Sequence, residues 1–212
     1  MLTGTFNLNG NTMKLYFAPN TCSLSPHIVL EELGLPYELV RVDNQTKQTS
    51  DGRDFRDINP KGYVAALQLD NGELLTEGAV IVQYLADLKP SAGLAPPPGS
   101  WERVRMQEWL NFITSEIHAG VAPLFNPALP DEVRSIFIDK LHRRVALLET
   151  ALRQNDHLLG ATFSVADAYL YTVLGWFGLF DIDLRQWPAV TAYHARIASR
   201  PTVKAAMKAE AA

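Results

Sequence analysis

The lone cysteine, Cys22, sits in the stretch Asn20-Thr21-Cys22-Ser23, between a short apolar run and a proline-led helix start. The unpaired N–H groups and positive end of a helix dipole at such a place favour negative charge and lower a thiol's pKa, which makes Cys22 a candidate thiolate. The competing reading is an inert buried thiol acting as a small hydrophobe. Ser25 occupies the place where a Cys-x-x-Cys redox pair would carry its second cysteine, so any disulfide chemistry must borrow an external thiol. A second candidate is Thr76-Glu77-Gly78, where a strand meets a helix. The free amides there can receive a carboxylate while Glu77 accepts from an ammonium, a combination suited to an amino-acid head group. A glutamate in a first helical turn also serves the helix dipole alone. Third, Asn111, Ser115 and His118 recur at i, i+4 and i+7, with Trp109, Phe112 and Ile113 on the other side of the same helix. That polar stripe is either a ligand wall or a solvated face. His27, His142, His157 and His194 share no metal-ligand spacing and read as structural or surface residues; no metal is implied.

These groups must be held by a small set of elements. Met13 to Phe17 predicts a strand, and Ser25-Pro26 predicts an N-cap followed by proline at the first helical position. Gly34 and Pro36 end that helix, and Tyr37 to Val42 follows as a second strand, completing a βαβ unit. Val64 to Leu69 and Leu74 to Thr76 flank Asp70-Asn71-Gly72, whose Asn-Gly pair suits a tight hairpin. A helix then runs from Ala79 to about Leu88. The connection from Asp43 to Tyr63 is polar and contains Asn59-Pro60-Lys61-Gly62.

Pro90 to Gly99 is rich in proline and glycine, and beyond it the strand pattern stops. The chain therefore divides into an α/β domain over 13–89, a linker over 90–100 and an all-helical domain over 101–212. Val133, Phe137, Leu141, Val145, Leu148 and Leu152 mark one face of a long helix, and further helices are expected at about 164–179, 188–199 and 202–209. Ser164-Val165-Ala166-Asp167 forms a capping box before a helix apolar nearly all round, which predicts a buried central helix fixed at its start from within. Residues 1–12 read as a polar extension, either an upstream tail or a remnant of cloning.

Composition narrows the function. A chain of 212 residues with 47% hydrophobic residues can build real cores. Its 19 Lys+Arg against 23 Asp+Glu, a formal net charge of −4, offer no basic field for nucleic acid or an anionic membrane. The most apolar stretch, Tyr169 to Phe180, is too short and too interrupted to span a bilayer, and residues 1–12 lack the charge and apolar core of a secretory signal. One cysteine excludes an internal disulfide framework and points to a reducing, cytoplasmic location.

The stretches KLYFAPNTCSLSPHIVLEELGLPYELVRVD, INPKGYVAALQLDNGELLTEGAVIVQYLAD, QEWLNFITSEIH and FSVADAYL together resemble the bacterial beta-class glutathione S-transferases over nearly all of the chain from Met13. The resemblance implies a thioredoxin-like α/β N-terminal domain followed by an all-α C-terminal domain, the glutathione transferase fold, assembled as a homodimer. It implies that Cys22 lies against the glutathione sulfur and can form a mixed disulfide with it. By the same resemblance Lys47 meets the glycyl end, the Val64 backbone pairs with the cysteinyl part, Tyr63 stands at the pocket edge, and Glu77 and Gly78 hold the γ-glutamyl end. Asn111, Ser115 and His118 form the second-domain wall, partly reaching across the dimer. Cys22 and His118 are the residues expected to tune the sulfur.

Two positions depart from the family pattern. Ala65 stands where a cis-proline is usual, leaving the Val64–Ala65 peptide either cis or trans; a trans peptide would turn the Val64 backbone away from glutathione. Ala119 stands where relatives often carry lysine, removing a positive charge from the wall. The leading expectation is conjugation of reduced glutathione, the co-substrate, to a small, mostly hydrophobic electrophile. Two alternatives are monothiol glutathione-dependent thiol–disulfide exchange through Cys22 and a non-catalytic binding or regulatory protein of the same fold.

Overall fold

The computed structural model describes residues 12–211, so the extension lies outside it apart from Thr12. β1 (Met13–Phe17), β2 (Tyr37–Arg41), β3 (Ala66–Gln68) and β4 (Leu74–Thr76) form one sheet in the order β2-β1-β3-β4. β1 pairs in parallel with β2, Met13 opposite Tyr37, and antiparallel with β3, Leu15 opposite Leu67; β3 and β4 close the hairpin. Gly72, at φ 87°, supplies the left-handed residue that the tight turn requires. Alternation along the strands sends side chains to opposite faces. Leu15 and Leu67 face α1 (Leu24–Leu33) and α3 (Gly78–Leu88) in the main core, while Tyr16, Val40 and Ala66 face Phe55 of α2 (Phe55–Ile58).

The first helix begins earlier than Ser25-Pro26 suggests. Ser23 is the N-cap residue, and Pro26 falls within the first turn, where its missing N–H is harmless. Ser25 Oγ instead donates back to Cys22 O at 3.0 Å. Gly34, at φ 61°, ends the helix as expected. The polar connection contains the one-turn α2, capped by Asp54, whose carboxylate accepts from Arg56 N at 2.8 Å. β3 is shorter than Val64 to Leu69: Val64 and Ala65 precede it and line the cleft, and Leu69 follows it.

The helical domain starts with α4 (Trp101–Phe112), which continues through a π-helical segment over Ile113–His118 into α5 (Ala119–Val121). The long α6 (Asp131–Leu152) buries Leu141, Val145, Leu148 and Leu152, but Val133 remains 37% exposed, since the first turns of the helix project past the core. All residues of α7 (Val165–Leu174) are buried. Its capping box is closed from inside: Asp167 accepts from Ser164 N and Ser164 Oγ, both at 2.8 Å, from Leu158 N at 2.9 Å and from Tyr193 Oη at 3.1 Å. Glu149 of α6 performs a similar task for α8 (Pro188–Ala198), accepting from Ala189 N and Val190 N at 2.9 and 3.1 Å.

The last helix, α9 (Pro201–Glu210), returns to the first domain. His27 of α1, fully buried, bonds Glu210 through Nδ1 and Tyr37 through Nε2, each at 2.9 Å, and Tyr37 donates on to Glu31. Beside it, Arg200 holds Glu32 with bonds of 2.7 and 2.9 Å, and Thr202 donates to the same carboxylate.

Candidate functional site

A cleft of about 390 Å³ opens where the two domains meet. Three turns of the first domain build one wall. Cys22 enters from the β1–α1 turn, Tyr63, Val64 and Ala65 from the loop before β3, and Glu77 and Gly78 from the β4–α3 junction. The loop is set by Asn59, whose Nδ2 donates to Tyr63 O at 2.8 Å while Oδ1 accepts from Lys61 N at 3.2 Å. The Val64–Ala65 peptide is cis. Cys22 Sγ donates to Val64 O at 3.2 Å, tying two of the turns together.

At the third turn Glu77 holds φ 71°, an unfavourable region for a residue with a Cβ. The start of α3 stabilises it there, since Val80 N and Ile81 N both donate to Glu77 O at 2.9 Å. Its carboxylate accepts from Lys61 Nζ at 2.6 Å, and the same ammonium reaches Thr76 Oγ1 at 2.9 Å. Both partners of this pair are more than half exposed, so solvent competes with the contact.

The second-domain wall is drier. His118 and Thr114 come from the π-helical segment and Tyr169 from buried α7. His118 Nδ1 lies 2.7 Å from Tyr169 Oη. The His118 ring packs edge-on against Trp176 at 5.0 Å, and Phe125 extends the aromatic group toward Phe180. Burial lowers the His118 pKa, opposed in part by nearby Glu77, so the imidazole is neutral near pH 7. Burial pushes the Tyr169 phenol up to about 12.

Cys22 departs from the thiolate expected of a residue beside a helix N-terminus. The side chain is only half-buried, yet loss of solvent around the sulfur pushes the thiol up to about 11; backbone N–H groups of Ala65 and Cys22 pull the other way without prevailing. Glu77 and Glu210 add negative charge nearby and raise it further. Desolvation outweighs the helix terminus, and Cys22 is a protonated donor.

Cys22, Tyr63, Val64, Glu77, Gly78 and His118 all line the cleft. Lys47 stands outside the lining, its ammonium 5.3 Å from the centre of the Tyr63 ring at the rim. Asn111 and Ser115 are exposed and off the cleft, Ser115 Oγ donating to Asn111 O at 2.9 Å. The stripe drawn at α-helical spacing breaks because a π turn takes one more residue than an α turn. His118 is thereby rotated away from Asn111 and Ser115, and Thr114 joins it on the cleft side. Sequence reasoning left Asn59, Lys61, Thr114 and Tyr169 out of the site. Asn59 and Lys61 belong to the Asn-Pro-Lys-Gly turn, a recognisable signal; Tyr169 carries none, being one more apolar position of a buried helix. A larger groove of about 820 Å³ between the linker, α4 and the 158–164 loop contains none of these groups.

Comparison with known proteins shows which family the chain is similar to. The glutathione S-transferase N-terminal domain model matches residues 21–88 and the C-terminal domain model residues 112–201. Glutathione S-transferase GstA of Escherichia coli O157:H7 is 42% identical, with 93% of this chain and 98% of that protein covered. Among solved structures, a glutathione transferase from Methylococcus capsulatus str. Bath is 54% identical with a TM-score of 0.93, covering 94% of this chain and 99% of its own. A sphingomonad glutathione S-transferase complexed with glutathione is 46% identical with a TM-score of 0.91, covering 93% and 98%.

Proposed function

The chain belongs to the glutathione S-transferase family, and from that premise we propose how its cleft holds glutathione and directs the sulfur at an electrophile. It is a glutathione transferase, conjugating reduced glutathione to small electrophilic molecules. The tripeptide extends along the first-domain wall. Its γ-glutamyl ammonium meets the Glu77 carboxylate, and its neighbouring carboxylate meets the amides at the start of α3 beside Gly78. The cysteinyl part lies against the Val64 backbone, and the glycyl end points past Tyr63 toward Lys47. The sulfur then rests between Cys22 and His118.

The observation carrying this reading is the convergence of Cys22, Val64, Glu77 and His118 on one cleft from four separate parts of the chain. Cys22 acts as a proton donor: its S–H, now directed at Val64 O, turns to the glutathione thiolate and stabilises it. A thiol raised to about 11 supplies little thiolate for attack on a disulfide, which favours conjugation over exchange. The electrophile occupies the second-domain side of the cleft, formed by Thr114, His118, Ala119, Ala122 and Tyr169, with Trp176 packed against the His118 ring.

A second copy of the chain covers the exposed face of α3 and α4. Val80, Trp101 and Val104 are 47, 69 and 46% exposed, and Asn111 and Ser115 continue the α4 side of that face. Dimerisation would bring those two side chains toward the neighbouring cleft. Retention on immobilised glutathione, turnover of a chloronitrobenzene and a dimer mass by light scattering are the expected results. A folded protein that neither binds glutathione nor conjugates it would overturn the assignment of this cleft.

A further inference from the structure

Tyr169 is the buried side chain that hydrogen-bonds the cleft histidine. Its hydroxyl lies 2.7 Å from His118 Nδ1, a distance suited to O–H···N bonding. Among the described residues no protein group bonds His118 Nε2, while the ring itself lines the cleft beside Cys22. A neutral imidazole carries one proton, and the partner of one nitrogen decides where it resides. The buried phenol keeps its proton throughout the working pH range, so a donor is always present at this distance from Nδ1.

We infer that Tyr169 is a positioning residue: by donating to His118 Nδ1 it holds the imidazole as the Nε2–H tautomer and aims that N–H into the cleft. The inference rests on the conjugation reading and adds a division of labour to it. The Nε2–H donates to negative charge that the reaction places beside it, either the bound thiolate or the group departing from the electrophile. No proton is transferred to or from Tyr169. Trp176, packed edge-on against His118, keeps the ring from swinging out of this orientation. The arrangement parallels the general rule that a histidine's second partner fixes the tautomer at its working nitrogen.

The test combines nitrogen NMR with kinetics on the full-length protein. In the wild type, His118 Nδ1 should give the resonance of an unprotonated ring nitrogen and Nε2 that of a protonated one. Tyr169→Phe, which keeps the ring and its packing, should show mixed tautomers, with kcat for a chloronitrobenzene down about tenfold and the KM for glutathione within about twofold. His118→Gln should retain more activity than His118→Asn, because the longer amide places a donor nearer the Nε2 position. Tyr169→Phe should cost little more in the His118→Gln background, since the two residues act as a unit. An Nδ1–H tautomer in the wild type, or an unchanged kcat in folded Tyr169→Phe, would overturn the inference. Failure of the wild type to bind glutathione would instead remove the conjugation reading, with the tautomer still measurable.

Discussion

Two histidine–tyrosine pairs stand where the domains of this protein meet, and they are wired differently. In the seam between α1 and α9, His27 uses both ring nitrogens, one on Glu210 and one on Tyr37, and has no exposure at all. In the cleft, His118 uses one nitrogen on Tyr169 and has no protein partner for the other among the described residues. The same chemistry serves architecture in one region and, in the function we propose, the reaction in the other. The difference is how many of the ring's hydrogen-bonding positions the protein itself occupies. Carboxylates divide the same way: Asp167 accepts four hydrogen bonds inside the helical domain, whereas Glu77 stands half in solvent with an exchangeable ammonium partner.

If that contrast holds, mutations in the seam should change stability and leave the cleft alone. His27→Ala removes a fully buried ring and leaves the Glu210 carboxylate without its partner. Denaturant unfolding should show a loss of about 3–5 kcal/mol, with the KM for glutathione of the folded fraction unchanged. A seam variant that stayed stable but lost glutathione binding would erase the distinction. The converse experiment is His118→Ala, expected to lower kcat/KM for the electrophile about 100-fold while moving the unfolding free energy by less than about 1 kcal/mol.

The thiol sharpens the contrast at the boundary between burial and exposure. With its pKa raised from 9.0 to about 11, Cys22 holds about 100-fold less thiolate at pH 7.5 than an ordinary thiol. Iodoacetamide labelling followed by mass spectrometry should be slower by that factor, and its rate should still be rising at pH 10. A plateau near neutrality would restore the thiolate reading. Cys22→Ala should abolish any thiol–disulfide exchange while leaving a measurable part of the conjugation. The smallest effect is expected at the exposed rim, where Glu77→Gln should raise the KM for glutathione no more than about fivefold at unchanged kcat, because solvent already competes for this carboxylate.

Much of the fold was legible because its signals are local. Gly34 ends α1, the Asn-Gly turn closes the β3–β4 hairpin, and the Ser164–Asp167 box starts the buried α7, each within a few residues. Of the cleft, Cys22, Glu77, Gly78 and His118 were readable by type and setting, Tyr63 and Val64 came from family resemblance, and so did Lys47, which stands outside the lining. Boundaries set by tertiary packing were missed: the start of α1 lies before Pro26, and Val133 escapes the core face drawn for α6. The polar stripe divides for a different reason, since no local rule announces the π turn that separates His118 from Asn111 and Ser115 within one subunit.

By itself, then, the order of residues determined the sequence of strands and helices and the presence of one thiol at a strand–helix turn, because caps, turns and periodicity act over a handful of neighbours. The tertiary structure alone decided that the thiol is protonated, that Tyr169 faces His118 across 51 positions of chain, and that Thr114 rather than Ser115 reaches the cleft. Desolvation and hydrogen-bond partnership depend on which distant atoms surround a group, and those are assigned only when the chain has closed on itself.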